Sequence, residues 1–308
     1  MAPQEEAMSH PSTDPTADTG TSSPSSSSSS LCPHPLTSLG ATGAAAPADH
    51  YTFGDGAIAA DRLALLAAVF EPSSARLLRL LGYLQPRQAV DLGCGPGWST
   101  RLVNAVLAPR RTLGLDRSPE HVARACASAL ALPVPGVEFR VHEVACVPFP
   151  CEPPDLLYSR FLLTHLAQPE QVIAAWGEAA APRATLVLEE TAELTSDHPA
   201  FARYYQLVDE LQAAYGQRMR IGADLTGPFG GGWNVELSLL TPLSLPASRM
   251  ARLHALNIAT WRHDPQARAA FDARELDALA ARLKEIADGN EAAPNVRLRM
   301  RQLVLGKG

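Results

Sequence analysis

The sequence predicts an α/β fold: a doubly wound, mostly parallel sheet of seven strands, with a helical segment ahead of it and a helical cap inserted within it. Three observations carry that expectation. Short apolar runs with strand patterning alternate with amphipathic stretches from about residue 86 to residue 190. A glycine turn, "GCGPG", joins the first of those runs to the helix that follows. After Glu190 the alternation gives way to one long helical pattern, and strand signals resume only near residue 233.

Each element has its own signal. "AIAADRLALLAAVF" and "SSARLLRLLGYL" carry apolar residues at helical spacing and read as two helices, the second with Ser73 as N-cap and Pro86 beyond its end. "QAVDL" reads as a strand, Gly97–Leu107 as a helix and "RTLGLD" as a strand. Ser118-Pro119-Glu120 opens the next helix, with a capping hydroxyl followed by proline at the first helical position. "VEFRVH", "DLLYSR" and "ATLVLEE" continue the strands, and a helix from about Gln168 to Ala180 precedes the last of them. Consecutive parallel strands need crossover helices, which cover both faces of the sheet. "PAFARYYQLVDELQAAYG" is the long helix, stopped by Gly216, and the loop "TGPFGGGWN" follows. The strand "VELSLLTPL" then leads to two helices, one opening with Asp272 and Glu275 in capping-box positions. "VRLRMRQLVL" closes the chain as an edge-side strand. Its Arg297, Arg299 and Arg301 suit a solvated face better than a phosphate site. The expected organisation is a Ser/Pro-rich tail over 1–48, a helical lid segment over 49–85, a ligand-binding core over 86–190, a helical cap over 191–232, and the rest of the sheet with its helices over 233–308.

Composition narrows the function. The tail, centred on "SSPSSSSSS", holds too little apolar surface to offset its chain entropy and is expected to be disordered. A net charge of −6 provides no global field for nucleic acid or an acidic membrane. The five cysteines, Cys32, Cys94, Cys126, Cys146 and Cys151, form no CxxC pair, which argues against a zinc site or a disulfide framework. No apolar stretch reaches the roughly 18 residues of a membrane span, and no Lys or Arg precedes Arg62. A cytoplasmic protein with reduced thiols is expected, without a metal site.

The glycine turn points to a nucleotide. A dinucleotide fingerprint, GxGxxG/A, needs a small third residue, yet counting from Gly93 that position holds Trp98. No GK[ST] follows, so a P-loop is excluded as well. What remains is Gly93, Gly95 and Gly97, preceded by Asp91, with Asp116 at the end of the second strand 25 residues after Asp91. This arrangement resembles the first motif of class I S-adenosylmethionine-dependent methyltransferases. The likeness extends to "VHEVACVPFP" and "PPDLLYSRFLLTHL", and covers about residues 86 to 190. It implies a Rossmann-like sheet, S-adenosylmethionine as cofactor, and a small-molecule methyl acceptor, such as those of secondary metabolism, methylated on O, N or C by a monomer or homodimer.

The resemblance also implies roles. Asp91, Gly93, Gly95 and Gly97 would approach the methionine part of the cofactor, and Asp116, with Arg117 beside it, would take the ribose. Glu143, where the family more often has Asp, would take the adenine amino group, and the Val144 N–H the ring nitrogen. Ser159 and Arg160 would reach the cofactor edge, and Tyr51, with Phe53, would form an N-terminal lid. Phe161, His165 and Tyr205 are candidates for binding the acceptor, and His165 or Glu190 for removing its proton. Competing structural readings stand beside several of these. Asp91 could cap the helix, Tyr51 could be a hydrophobic staple, and His165 could pack against helices. Arg160 could pair with Glu189, and the tyrosines of the long helix could simply pack. A protein or RNA methyltransferase and a non-catalytic binder of the same fold are the alternative functions.

Overall fold

The computed structural model describes residues 53, 54 and 56–308. The Ser-rich tail, Tyr51 and its expected contact lie outside the described residues. Helix α1 (Ala57–Leu80) leads into β1 (Gln88–Leu92), α2 (Trp98–Leu107), β2 (Arg111–Asp116), α3 (Pro119–Ala131), β3 (Val137–Val141), β4 (Leu156–Arg160), α4 (Pro169–Ala179) and β5 (Thr185–Thr195). Then come α5 (Pro199–Ala214), β6 (Trp233–Leu245), α6 (Ala247–Trp261), α7 (Pro265–Ala270), α8 (Ala273–Asp288) and β7 (Val296–Lys307). The strands form one sheet in the order β3-β2-β1-β4-β5-β7-β6. Pairing is parallel through β5 and antiparallel at both edges of β7.

The order places the site. Strand order reverses between β1 and β4, so the loops after both strands leave the sheet in opposite directions and open a crevice at their carboxyl ends. All of β1 is buried, as a central strand covered by helices on both faces must be. One face carries Leu92, Leu115, Leu157, Trp176 and Leu188, and the other Leu77, Leu78, Val103, Tyr158 and Val304. A third apolar cluster joins α5, α6 and α8 to the outer half of β7. Local signals hold at the helix starts. Ser118 Oγ accepts from the His121 N–H at 3.2 Å, and Asp272 accepts from Arg274 and Glu275.

Four sequence expectations need correction. The two N-terminal helices are one, with Pro72 inside α1. Ser73 is therefore no N-cap, but buried and within 3.4 Å of Gln302 Nε2. A lost hydrogen bond at Pro72 is offset by the apolar face, from Phe70 to Leu78, that the unbroken helix buries. Strand β5 does not stop at Glu190. Its parallel pairing with β4 ends at Glu189, while antiparallel pairing with β7 carries it to Thr195 across an irregularity between Thr191 and Glu193. Three helices, not two, lie between β6 and β7, because the short α7 is capped by Asp264. β7 lies inside the sheet and β6 is the edge. Arg297 and Arg299 do face solvent, opposite Asp197 and Glu193.

Candidate functional site

The turn after β1 is built on left-handed backbone. Gly93, Gly95 and Gly97 have φ of 71°, 52° and 86°. At Gly93 an added Cβ would stand 2.8 Å from Leu162 Cδ1, and at Gly97 2.6 Å from the Phe139 ring. Both positions thus require glycine for two reasons, conformation and space. Gly97→Ala is expected to cost about 1–3 kcal/mol of stability by overpacking against Phe139, with further strain from its φ. Thermal unfolding would read this as a lower melting temperature, and an unchanged one would contradict it. Trp98 does not press on the sheet. It is 44 % exposed at the start of α2, and the close packing falls to Gly97.

Two acids frame the turn. Asp91 is fully buried, and its Oδ2 accepts from Ser99 Oγ at 2.7 Å and Thr100 Oγ1 at 2.6 Å. Burial pushes its pKa up to about 6 against the pull of those hydroxyls. Asp116 is different. Its two oxygens accept separately from the N–H groups of Gly95 (2.8 Å) and Ser118 (2.9 Å), and the His121 ring lies 3.6 Å away. Burial works against its charge. The His121 ring and the Ser118 and Gly95 N–H groups outweigh it, so the pKa falls below the ordinary carboxylate value. Asp116 is ionised at neutral pH.

The loop after β4 forms the facing wall. Phe161 has φ of 56°, a strained value for an aromatic residue, and its N–H donates to Glu189 O at 3.0 Å. Its ring meets Phe70 edge-to-face at 4.8 Å. A single 3-10 turn, Leu163–His165, follows. Glu190 holds that turn from behind: Oε1 accepts from the Leu163 N–H at 2.7 Å, while the buried Oε2 has no hydrogen-bond partner. Burial, opposed by the Leu163 and Leu162 N–H groups, pushes its pKa up to about 8. The neighbouring Glu189 accepts from Tyr158 at 2.5 Å and Gln302 at 2.6 Å.

Between these walls lies a cavity of about 500 Å³. Gly93, Asp116, Arg117 and Ser118 line one side, Glu143 and Val144 another, and Phe161, Leu162 and His165 the third. Gly54 reaches it from ahead of α1. Among the described residues no group of three or more His, Cys, Asp or Glu could hold a metal ion.

Residues 89–183, β1 through α4, match the sequence profile of a family described as a methyltransferase domain. Over those residues the chain carries a methyltransferase domain. Trans-aconitate 2-methyltransferase of Methylobacterium nodulans is 35% identical over 116 residues, 38% of this chain and 43% of that protein. The enzyme of the same description from Klebsiella pneumoniae is 38% identical over 97 residues, 32% of this chain and 36% of the other. The matched segment thus spans less than half the length of these curated relatives. A candidate methyltransferase of Bacillus halodurans C-125, 12% identical, shares the fold with a TM-score of 0.50 over 76% of this chain and 99% of that one.

The methyltransferase domain gathers only some of the residues singled out in the sequence. Gly93, Asp116, Arg117, Glu143, Val144, Phe161 and His165 all face the one cavity. Asp91, Gly95 and Gly97 lie behind it and shape the turn. Ser159 is buried with no hydrogen-bond partner for its Oγ, and Arg160 donates from Nη1 to Ser74 Oγ at 2.9 Å rather than pairing with Glu189. Glu190 does not line the cavity, so its proton is not offered to an acceptor there. Tyr205 is not on the lining either. It is buried in the α5–α6 cluster with its hydroxyl 3.2 Å from His254 Nε2. Sequence reasoning missed His121, Leu162 and Gly54. Only His121 carried a signal, since it stands in the first turn of the helix that follows Asp116.

Proposed function

We propose that the chain transfers the methyl group of S-adenosylmethionine to an oxygen or nitrogen atom of a small molecule. The observation that carries this reading is one cavity that joins the Asp116 and Glu143 walls to the Phe161–His165 loop. Its residues fit the cofactor. The backbone at Gly93 is open to close approach, the ionised Asp116 suits ribose hydroxyls, and Glu143 with Val144 suits an adenine edge. When bound, the cofactor supplies a methyl group activated on a sulfonium. This chain's own part is to align the acceptor, exclude water and hold its proton. Phe161 and Leu162 supply apolar cover. His165 stands in the cavity wall as the residue that would take a proton from an oxygen or nitrogen acceptor.

The acceptor end is the chain's own. Similarity to the trans-aconitate 2-methyltransferases covers 97 to 116 residues, so their acceptor is a first candidate and no more. The segment 191–232, with α5 and its glycine-rich loop, is read as the cap over that end, and the tail over 1–48 and lid segment over 49–85 as preceding the core in sequence. The cytoplasm is the proposed location, supported by the four described cysteines being free thiols. Among the described residues no helix is long and apolar enough to cross a membrane. A monomer or homodimer is proposed. A nucleic-acid acceptor is disfavoured by the net charge of −6.

Methyl-labelled S-adenosylmethionine, incubated with the protein and fractionated small molecules, tests the reading by mass spectrometry. A labelled product below 1 kDa supports it. Label found only in protein or RNA would replace it with the alternative, and saturable cofactor binding without any transfer would leave a binding protein. With an acceptor in hand, His165→Ala is expected to lower turnover about 10²–10⁴-fold if the acceptor must lose a proton. Phe161→Ala is expected to raise KM. Both should leave cofactor affinity, measured by calorimetry, within a few-fold. Loss of cofactor binding in both, with acceptor recognition intact, would show that the acceptor lies elsewhere.

A further inference from the structure

The turn that carries His165 is held from outside at each of its three residues. Leu163–His165 make a single 3-10 turn, and one turn fixes several dihedral angles for few hydrogen bonds, so it does not stand alone. From behind, Glu190 Oε1 of β5 accepts from the Leu163 N–H at 2.7 Å. At the centre, the Thr164 hydroxyl donates to Arg218 O at 2.9 Å and accepts from Gln212 Nε2 of α5 at 3.5 Å. At the end, Gln217 Nε2 donates to His165 O at 3.1 Å. Thr164, Glu190, Gln212 and Gln217 are all buried.

The cap segment builds its side of this hold locally. α5 ends at Gly216, whose φ of 70° reverses the chain. The Gly216 N–H donates to Ala213 O at 3.0 Å and the Gln217 N–H to Gln212 O at 2.9 Å, the pairing that a glycine just past a helix end allows. Gln217 and Arg218 are thereby returned to the turn. The Arg218 guanidinium pins the same loop to Glu170 of α4 at 2.7 Å and to Asp224 at 2.9 Å. Gly222 lies against the end of β5, where an added Cβ would stand 2.7 Å from Glu190 O. Glu190 is thus enclosed between the turn and the cap segment.

Apolar packing does not account for these side chains. Glu190 Oε2 and Gln212 Oε1 are buried without a hydrogen-bond partner, which costs stability that leucine or methionine in the same space would not. What their polar atoms add is a fixed place for the turn, and the last residue of that turn lines the cavity.

We propose that Glu190, Gln212 and Gln217 are positioning residues for His165, which bind its turn to β5 and to the cap segment together. This rests on the methyltransferase reading above and specifies what controls its proton-taking residue. The ring stands in the cavity wall only while the cap segment is seated. Enclosing the acceptor and placing the group that takes its proton are then one event.

The test uses the whole protein saturated with S-adenosylhomocysteine, its histidines labelled with carbon-13 at Cε1 and the His165 signal assigned from His165→Gln. Glu190→Leu and Gln217→Ala are each expected to displace or broaden that signal beyond its original linewidth. The signals of His142 and His198, whose rings hydrogen-bond elsewhere, should stay in place. Glu190→Gln should restore the His165 signal, because it keeps an oxygen for the Leu163 N–H and resembles the carboxyl that burial keeps protonated at pH 7. With an acceptor in hand, Glu190→Leu and Gln217→Ala should lower kcat about 10- to 100-fold, as a small displacement of a reacting group does, with KM and cofactor affinity within a few-fold. A His165 signal that stays put in both variants, or that moves as far in Glu190→Gln as in Glu190→Leu, overturns the inference. Should Glu190→Leu fail to fold, so that all the signals move together, Gln217→Ala decides, since it removes one hydrogen bond at the edge of the turn. Failure of S-adenosylhomocysteine to bind would instead bring down the methyltransferase reading, and the His165 signals would still be compared without it.

Discussion

Asp116→Ala is expected to weaken S-adenosylmethionine binding by about 1–3 kcal/mol, or roughly 5- to 150-fold. The physical cause is double. The substitution removes an ionised acceptor from the cavity, where hydrogen bonds to charge are worth more than neutral ones. It also frees the N–H groups of Gly95 and Ser118, which the carboxylate holds at 2.8 and 2.9 Å, so the glycine turn and the start of α3 lose a common anchor. Asp116→Asn separates the two effects, because its amide oxygen can still accept one of those N–H groups. Calorimetry with S-adenosylmethionine and S-adenosylhomocysteine checks the pair. An Ala variant with unchanged affinity would refute the assignment of Asp116 to the ribose, and a protein that binds NAD as tightly as S-adenosylmethionine would refute the cofactor.

Glu190→Gln is expected to make the protein more stable above about pH 8 and to remove part of its pH dependence. Burial raises the folded-state pKa of Glu190 from 4.5 to about 8. Between those two values the folded chain holds a proton that the unfolded chain has released. Stability therefore falls as pH rises through that window, and the penalty is complete above it. Each tenfold change in proton affinity is worth about 1.36 kcal/mol, so the penalty is on the order of a few kcal/mol. Glutamine keeps the shape and an oxygen for the Leu163 N–H, but carries no titrating proton. Urea unfolding at a series of pH values gives the difference between the two proteins, in which Asp91 and His254 cancel. A difference that stays flat from pH 4.5 to 8 would refute the expectation. Glu190 would then be ionised in the fold, with its second oxygen satisfied in some other way.

What could be read from the residues alone is what neighbours in sequence decide. The strands "QAVDL", "RTLGLD" and "DLLYSR" and the caps Ser118 and Asp272 rest on periodicity and on hydrogen bonds spanning two or three residues, and the structure has them. The glycine turn is equally local, since positive φ at Gly93, Gly95 and Gly97 needs no distant partner. Asp116 follows from these, because the end of β2 beside that turn can only face the cavity. Tertiary contacts decided the rest. Pro72 argues locally for a break, but α1 packs on α2 and α6, and that burial outweighs one missing hydrogen bond. Glu189 and Glu190 point to opposite faces of β5. Which partners each meets is set by Tyr158, Gln302 and Leu163, between 27 and 113 residues away in sequence. Tyr205 turns inward to His254, 49 residues on, and away from the cavity. A helical or strand period says which residues share a face. It does not say what that face meets, because burial and hydrogen-bond partners belong to the packing of distant segments.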